Sequence, residues 1–441
     1  MFLPNSLSKK DIVNFLIYLI PLSYIGGNLI LNFNVVFLIS FVFLAYRFEV
    51  FKYGLNNFDK IVIIFFGYLL INGIFNNFFN FNYPDAPKQN IVLIKSILFL
   101  RFLFLYLIIK FLILEKMINF KHLFFIFGAC SLLVSFDLSV QFFLGKNLIG
   151  FEGGGRRLSG LFGDEYIAGS YVQRFFIFLI FFIFIYQITD NKKLTYNFSL
   201  FLIIIINLFG ILFSGNRIPL ILSLVLLSLL FFYEKSLRKV LIILFVLFVS
   251  GVAYFINTNR DILNHYNSFK NRSIQTIEYI IKRATTNEIL SSNTYIKEIE
   301  SGVLTWNENF YFGGGIKSFF WNCNNIDRDK MLKFVTPKGK VNCNTHPHNY
   351  YLEVGAELGV VGFLIIVLLF LMIIFKSIIY YLSNVSSKNK HILYPFLILF
   401  FVEVFPLKTT GSFFTTTNAT FLFIIMSFTV GLLEVKDLQK K

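Results

Sequence analysis

Two imidazoles flank a proline in Thr345–His346–Pro347–His348–Asn349–Tyr350–Tyr351–Leu352–Glu353, and the chain continues through Glu357–Leu358–Gly359–Val360–Val361–Gly362. A neutral histidine near pH 7 can take a proton from a hydroxyl and so serve as a general base. Pro347 restrains His346 away from the α region and suits a helix start just beyond it. The pattern predicts His348 in the first helical turn, facing the positive end of the dipole, where a histidine's pKa is lowered. An interfacial histidine that merely caps the helix is the plain structural alternative. His348 and Leu352 would share a face, with Glu357 about one turn further on. Asn349, Glu357 and His346 are the supporting candidates, His346 as assistant or substitute. A carboxylate at Glu357 has to be paired or water-facing, whereas Glu353, a turn earlier, is cheaper to leave solvated.

Two other stretches carry groups suited to phosphate. In Phe213–Ser214–Gly215–Asn216–Arg217–Ile218–Pro219 a glycine permits a sharp reversal, Pro219 starts the next helix and one arginine is left at the turn. A guanidinium there can clamp a diphosphate bidentately, or simply anchor to lipid headgroups. In Gly153–Gly154–Gly155–Arg156–Arg157–Leu158–Ser159–Gly160–Leu161–Phe162–Gly163–Asp164–Glu165, glycines beside paired arginines can offer backbone N–H groups and charge to phosphate oxygens, or form a linker. Arg101, Asp137, Arg174 and Glu403 fall within or near apolar runs. They are functional candidates, although a buried Arg–Asp pair explains such residues as well. His346 and His348 have no cysteine or carboxylate at zinc-like spacing, so neither a metal site nor a cofactor is expected. No P-loop is present, and Gly313–Gly314–Gly315 matches no nucleotide fingerprint.

The elements that must position these residues are set by composition. The chain has 441 residues, 56% of them hydrophobic and 15% charged, against about 25% charged in a soluble globule. Lipid must therefore solvate much of it, and the mean hydropathy of +0.70 agrees. The net charge of +16 is spread as short basic groups between apolar runs, which orient a membrane protein and do not form a nucleic-acid stripe. The 61 Phe accompany abundant Ile, Asn and Lys and carry no functional weight. The first apolar run lacks a small-residue cleavage site, so no cleavable signal peptide is expected.

A span needs about 20 apolar residues. Runs near 12–29, 32–47, 60–77, 91–113, 121–144, 166–187, 196–213, 218–233, 238–256, 351–375, 391–406 and 415–433 meet this. Pro21 and Gly26–Gly27 interrupt the first pair, and Glu403 and Pro406 weaken the eleventh. The expected fold is all-α and polytopic, with about 12 transmembrane helices. Residues 1–256 would carry helices 1–9, 257–350 a large loop, and 351–441 helices 10–12. Lysine and arginine concentrate at both termini and in alternate loops, which places the termini in the cytoplasm and the large loop in the periplasm of a Gram-negative cell. Within that loop Glu278–Lys282 and Glu298–Gly302 have helical character, Gly313–Gly315 breaks the chain and Pro337–Lys338–Gly339 is a turn. Cys130 reads as a small core residue. Cys323 and Cys343 either stay free or pair, closing a loop worth about 3 kcal/mol.

At these residues the chain resembles the O-antigen ligase and O-antigen polymerase superfamily of membrane glycosyltransferases. The resemblance is carried by His348–Asn349–Tyr350–Tyr351–Leu352 with Glu357–Leu358–Gly359–Val360–Val361–Gly362, by Ser214–Gly215–Asn216–Arg217, by Arg157–Leu158–Ser159–Gly160–Leu161–Phe162, and by Phe405–Pro406–Leu407 leading into Thr410–Gly411–Ser412–Phe413–Phe414. It implies a metal-independent, ligase-type transferase of the inner membrane. The donor would be a glycan on undecaprenyl diphosphate, and the acceptor a sugar hydroxyl of lipid A–core at the periplasmic face. His348 would be the base, and Arg217, with Arg157, would neutralise the diphosphate. Such ligases usually place a second arginine on a loop helix before a Gly-x-Gly turn. Here that segment reads Tyr295–Ile296–Lys297–Glu298, so Arg283 or Lys297 fills the role or it stays empty. A polymerase using the same donor is the nearest alternative. A flippase for the lipid-linked glycan is the alternative of another class, favoured by the buried charges and disfavoured by the long loop.

Overall fold

A computed structural model describes residues 8–80, 90–154, 157–186, 193–258, 260–282, 293–326, 343–382, 387–406, 408 and 411–439. The named elements are helices, and no β-strand occurs among the described residues. Lipid dictates this, because a backbone without water must satisfy its own hydrogen bonds. Among the described residues seven helical stretches are long and apolar enough to cross a membrane: Gly27–Phe51, Asn57–Phe79, Ile91–Leu114, Phe120–Leu144, Ala168–Tyr186, Tyr350–Tyr380 and Thr416–Val435. Asn197–Phe213 and Arg217–Tyr233 are shorter apolar helices. The protein is thus a polytopic helical membrane protein.

The N-terminal elements depart from the expected runs. Instead of one span over 12–29 there are two short helices, α1 (Lys9–Tyr18) and α2 (Ile20–Ile25), followed by α3 (Gly27–Tyr46). Pro21 sits in the first turn of α2, and Gly27 adopts φ +89°. Next come α4 (Asn57–Phe75), α5 (Ile91–Phe99) and α6 (Arg101–Leu114), the last two meeting at Leu100 within the expected run 91–113. The chain continues with α7 (Phe120–Leu144), α8 (Ala168–Tyr186), α9 (Lys193–Phe213), α10 (Arg217–Tyr233) and α11 (Arg238–Thr258). Helices α12 (Arg260–Lys282), α13 (Thr294–Glu308) and α14 (Phe319–Asn325) belong to the long polar segment, and include the Glu278–Lys282 and Glu298–Gly302 stretches. The expected turn at Pro337–Lys338–Gly339 lies outside the described residues. Finally come α15 (Tyr350–Leu382), α16 (Ser387–Glu403) and α17 (Thr416–Gln439).

Small residues let the central helices approach closely. A Cβ on Gly128 of α7 would lie 2.6 Å from the Leu179 nitrogen of α8, and one on Gly210 of α9 would lie 2.8 Å from the Ser135 Cα of α7. Close backbone approach of this kind favours helix association in lipid. Around it aromatic rings fill the interior, with Phe396 of α16 stacked on Phe428 of α17 at 4.4 Å. At the end of the bundle formed by the start of α4 and the finish of α6 and α17, buried Lys110 bridges Asp59 and Glu434, the latter at 2.7 Å.

Helix α15 is broken at Gly359, where φ is 66° and ψ −172°. The turn before α14 fills the gap in the helical ladder. Gly314 N–H donates to Ala356 O (3.2 Å) and Gly315 N–H to Glu357 O (2.7 Å), while Val360 and Val361 N–H donate to Phe310 O (2.8 Å) and Tyr311 O (3.3 Å). Tyr68 of α4 seals the junction by donating to Leu358 O at 2.7 Å. The Gly313–Gly315 break and the Gly359 motif, far apart in sequence, are two halves of one joint.

Candidate active site

His348 does not enter the helix. Its φ is +52°, a left-handed conformation uncommon outside glycine. The cap is Asn349, whose Oδ1 accepts the N–H groups of Tyr351 (2.9 Å) and Leu352 (3.2 Å). Its Nδ2 donates to Pro406 O at 2.9 Å, which ties the start of α15 to the end of α16. The expected first-turn position is therefore corrected: the asparagine has the better capping side chain, and the histidine is left on a strained residue ahead of it. Burial lowers the pKa of His348. The imidazole is accordingly neutral near pH 7, with desolvation as the cause and not the helix dipole.

His346 lies beside it, ring centroids 4.2 Å apart. Burial first, then the charges of His348 and Lys317, bring its pKa down to about 3. Its Nδ1 contacts Thr345 Oγ1 at 3.0 Å, and its Nε2 is buried without a hydrogen-bond partner.

Both imidazoles line a cavity of about 590 Å³, which Arg157 and Arg217 also line. The two arginine-bearing patches are built against each other. Leu158 N–H donates to Ser214 O at 3.2 Å, and Asn216 Nδ2 donates to Tyr166 O at 3.1 Å. Of the glycines ahead of Arg157, Gly153 N–H is taken by Gly145 O at 3.1 Å, and Gly154 leaves no room for a Cβ against the Tyr166 hydroxyl, while Gly155 lies outside the described residues. Arg156 lies outside the described residues.

A buried charge cluster closes the cavity beneath. Arg174 of α8 donates to Glu403 through Nε (3.2 Å) and Nη2 (2.7 Å), and to Asn418 Oδ1 at 2.7 Å. Lys408 Nζ reaches Glu403 at 2.5 Å and the Tyr350 hydroxyl at 3.2 Å. Arg174, Lys408 and Asn418 line the cavity. Burial lowers the pKa of Lys408 to about 8, with Glu403 acting to raise it. The partner of Arg174 is thus Glu403 and not Asp137. Asp137 accepts the Leu148 N–H at 2.9 Å, while Arg101 bonds Leu98 O at 2.6 Å.

The two glutamates of α15 also need correction. Glu353 is wholly buried and not solvated, accepting from Ser412 Oγ and the Phe413 N–H, both at 2.5 Å. Glu357 is buried with neither carboxylate oxygen in a hydrogen bond, beside the Lys317 and Phe319 backbone N–H groups. It does not line the cavity.

Of the two candidates for a further cation, Arg283 lies outside the described residues, and Lys297 is buried in α13 without lining the cavity. Arg272 of α12 lines it instead, as does Glu298 of α13. Sequence reading passed over both. The signal available for Arg272 was its place on an amphipathic helix, and for Glu298 its place one residue beyond Lys297. Cys323 and Cys343 are joined by a disulfide, Cα–Cα 5.8 Å, close ahead of the histidines. Among the described residues no group of three or more His, Cys, Asp or Glu is placed to hold a metal ion.

The cavity therefore joins a neutral imidazole to guanidinium groups at the end of a membrane-embedded helical bundle. Residues 198–367, from α9 into α15, match the family model described as O-antigen ligase. Over that stretch the chain is similar to the O-antigen ligase family. That stretch includes Arg217, Arg272, Glu298 and His348, so the superfamily resemblance drawn from the short sequence patches is borne out. The match supports glycosyl transfer of the ligase or polymerase type, on a lipid-linked glycan in a membrane setting. Comparison with curated proteins finds no match.

Proposed function

We propose that the protein is a ligase-type glycosyltransferase of the bacterial inner membrane, multi-pass with both termini cytoplasmic and about 12 spans. It moves a polysaccharide from undecaprenyl diphosphate to a sugar hydroxyl of lipid A–core at the periplasmic face. The observation that carries this reading is the shared cavity of His348 and Arg217. His348 takes the proton of the acceptor hydroxyl, the oxygen bonds to the anomeric carbon, and the bond from that carbon to the phosphate oxygen breaks with its electron pair leaving on the diphosphate. Arg217, Arg157 and Arg272 offset the charge that develops there, so the step needs no metal ion. A neutral imidazole as base contributes roughly 10²–10⁴ in rate.

His348→Ala and Arg217→Ala in cells lacking the native gene test the reading through long-chain lipopolysaccharide on a gel. Loss of capped molecules at normal protein abundance is expected, and wild-type capping in either variant refutes it. Incubation with lipid-linked repeat units alone separates the polymerase, which elongates them without a core acceptor.

A further inference from the structure

His348 must become an imidazolium when it takes the acceptor proton, and the cavity opposes that. Among the described residues it is lined by five cations, Arg157, Arg174, Arg217, Arg272 and Lys408, against two carboxylates, Glu165 and Glu298. A positive charge arriving there is disfavoured by its neighbours and by partial burial, unless an anion stands next to the ring. Glu298 is that anion. Its Oε1 lies 3.8 Å from His348 Nε2, and the two side chains are 18% and 33% exposed. Asn344 Nδ2, on the segment that also carries both histidines, donates to the same Oε1 at 3.3 Å.

We propose that Glu298 is a positioning residue for His348, accepting the imidazole Nε2–H so that Nδ1 is the basic nitrogen, and balancing the imidazolium once the proton arrives. The inference rests on the reading of His348 as base. The present separation exceeds hydrogen-bond length, and pairs of this kind commonly tighten when substrate binds. The helix dipole does not orient His348, which sits ahead of the cap, so a side chain has to. The charged and titratable groups that share the cavity with the pair are His346 on the same segment, Arg272 from α12, and Arg157, Glu165, Arg174, Arg217 and Lys408 on the other walls, with Lys317 acting on His346. Burial raises the pKa of Glu298 to about 7. The carboxylate that supports the base is therefore present above about pH 7 and lost by protonation below it.

The test uses full-length protein in liposomes with undecaprenyl-diphosphate-linked glycan and core lipopolysaccharide. Glu298→Gln should lower kcat roughly 10-fold or more, part of what a general base supplies, at unchanged donor KM. It should also remove the fall in activity that the wild type shows below about pH 7. Glu298→Asp should restore part of both. Wild-type kcat and an unchanged profile in Glu298→Gln, with His348→Ala inactive, overturn the positioning role alone. An active His348→Ala overturns the reading beneath it. Solid-state ¹⁵N NMR of histidine-labelled wild type needs no variant: the Nε2–H tautomer at His348 is expected, and Nδ1–H overturns the proposal.

Discussion

Gly313 and Gly359 meet backbone to backbone: a Cβ on Gly313 would lie 2.5 Å from the Gly359 nitrogen, and one on Gly359 would lie 2.3 Å from the Tyr311 oxygen. Both adopt positive φ, +72° and +66°. Gly359→Ala therefore adds backbone strain to a clash that no rotamer can relieve, and should cost about 3 kcal/mol. A thermal melt of the purified protein reads this. A melting temperature equal to that of the wild type would show that the joint is looser than described.

Activity should be insensitive to the charge state of His346 at any working pH, because its pKa sits near about 3. His346→Asn is expected to leave the acid limb of the pH–rate profile where it was. In Glu298→Gln the remaining limb belongs to His348, whose neutral form is lost only as pH falls below its ordinary value of 6.5. A shift of either limb on replacing His346 would make that residue the base.

Arg272 and Lys297 make opposite predictions. Arg272→Ala removes a guanidinium from the cavity and should raise donor KM or lower kcat/KM by roughly 10- to 100-fold, the worth of a hydrogen bond to a charged group. Arg272→Lys should recover little, since a point charge does not replace the fork. Lys297→Ala lies away from the cavity and should leave donor KM unchanged. Steady-state kinetics in liposomes checks both, and equal effects at the two positions would contradict the assignment of Arg272.

The Cys323–Cys343 link closes 20 residues of chain immediately ahead of the histidines. Its removal by the double Ser substitution should cost about 3 kcal/mol on chain entropy. Dithiothreitol should lower the melting temperature of the wild type and leave the double variant untouched. Equal sensitivity in both would disconnect the link from stability.

Glu403 holds two buried cations at once. Glu403→Gln leaves Arg174 and Lys408 in the interior without a counter-charge, at a cost of about 3–5 kcal/mol. Glu403→Gln paired with Lys408→Met should recover part of that loss, as the melting temperatures of the single and double variants would show.

Much of this was legible from residue types. Apolar runs forecast the long helices, and the patches around His348, Arg217 and Arg157 were singled out because their chemistry is unusual at the ends of apolar segments. The misreadings have physical causes. A proline ahead of a helix announces its start, but competition between His348 and Asn349 for the cap is settled by side-chain geometry that spacing does not reveal. Glu353 looked cheap to solvate because its partners, Ser412 and the Phe413 N–H, arrive from about 60 residues away. Arg272 was not singled out, because nothing in the spacing of a polar helix marks which of its cations lines a cavity. The break at Gly359 was hidden because a glycine in an apolar run is compatible with an unbroken helix.

Arg157, Arg217 and Arg272 reach the chamber from the approach to α8, the start of α10 and the middle of α12. Like charges drawn together from three separate stretches repel, and Glu165 and Glu298 on the same walls offset part of that repulsion. On the proposed function, a dianionic donor is mortar as well as substrate, because its charge offsets what remains of the push among three separate elements.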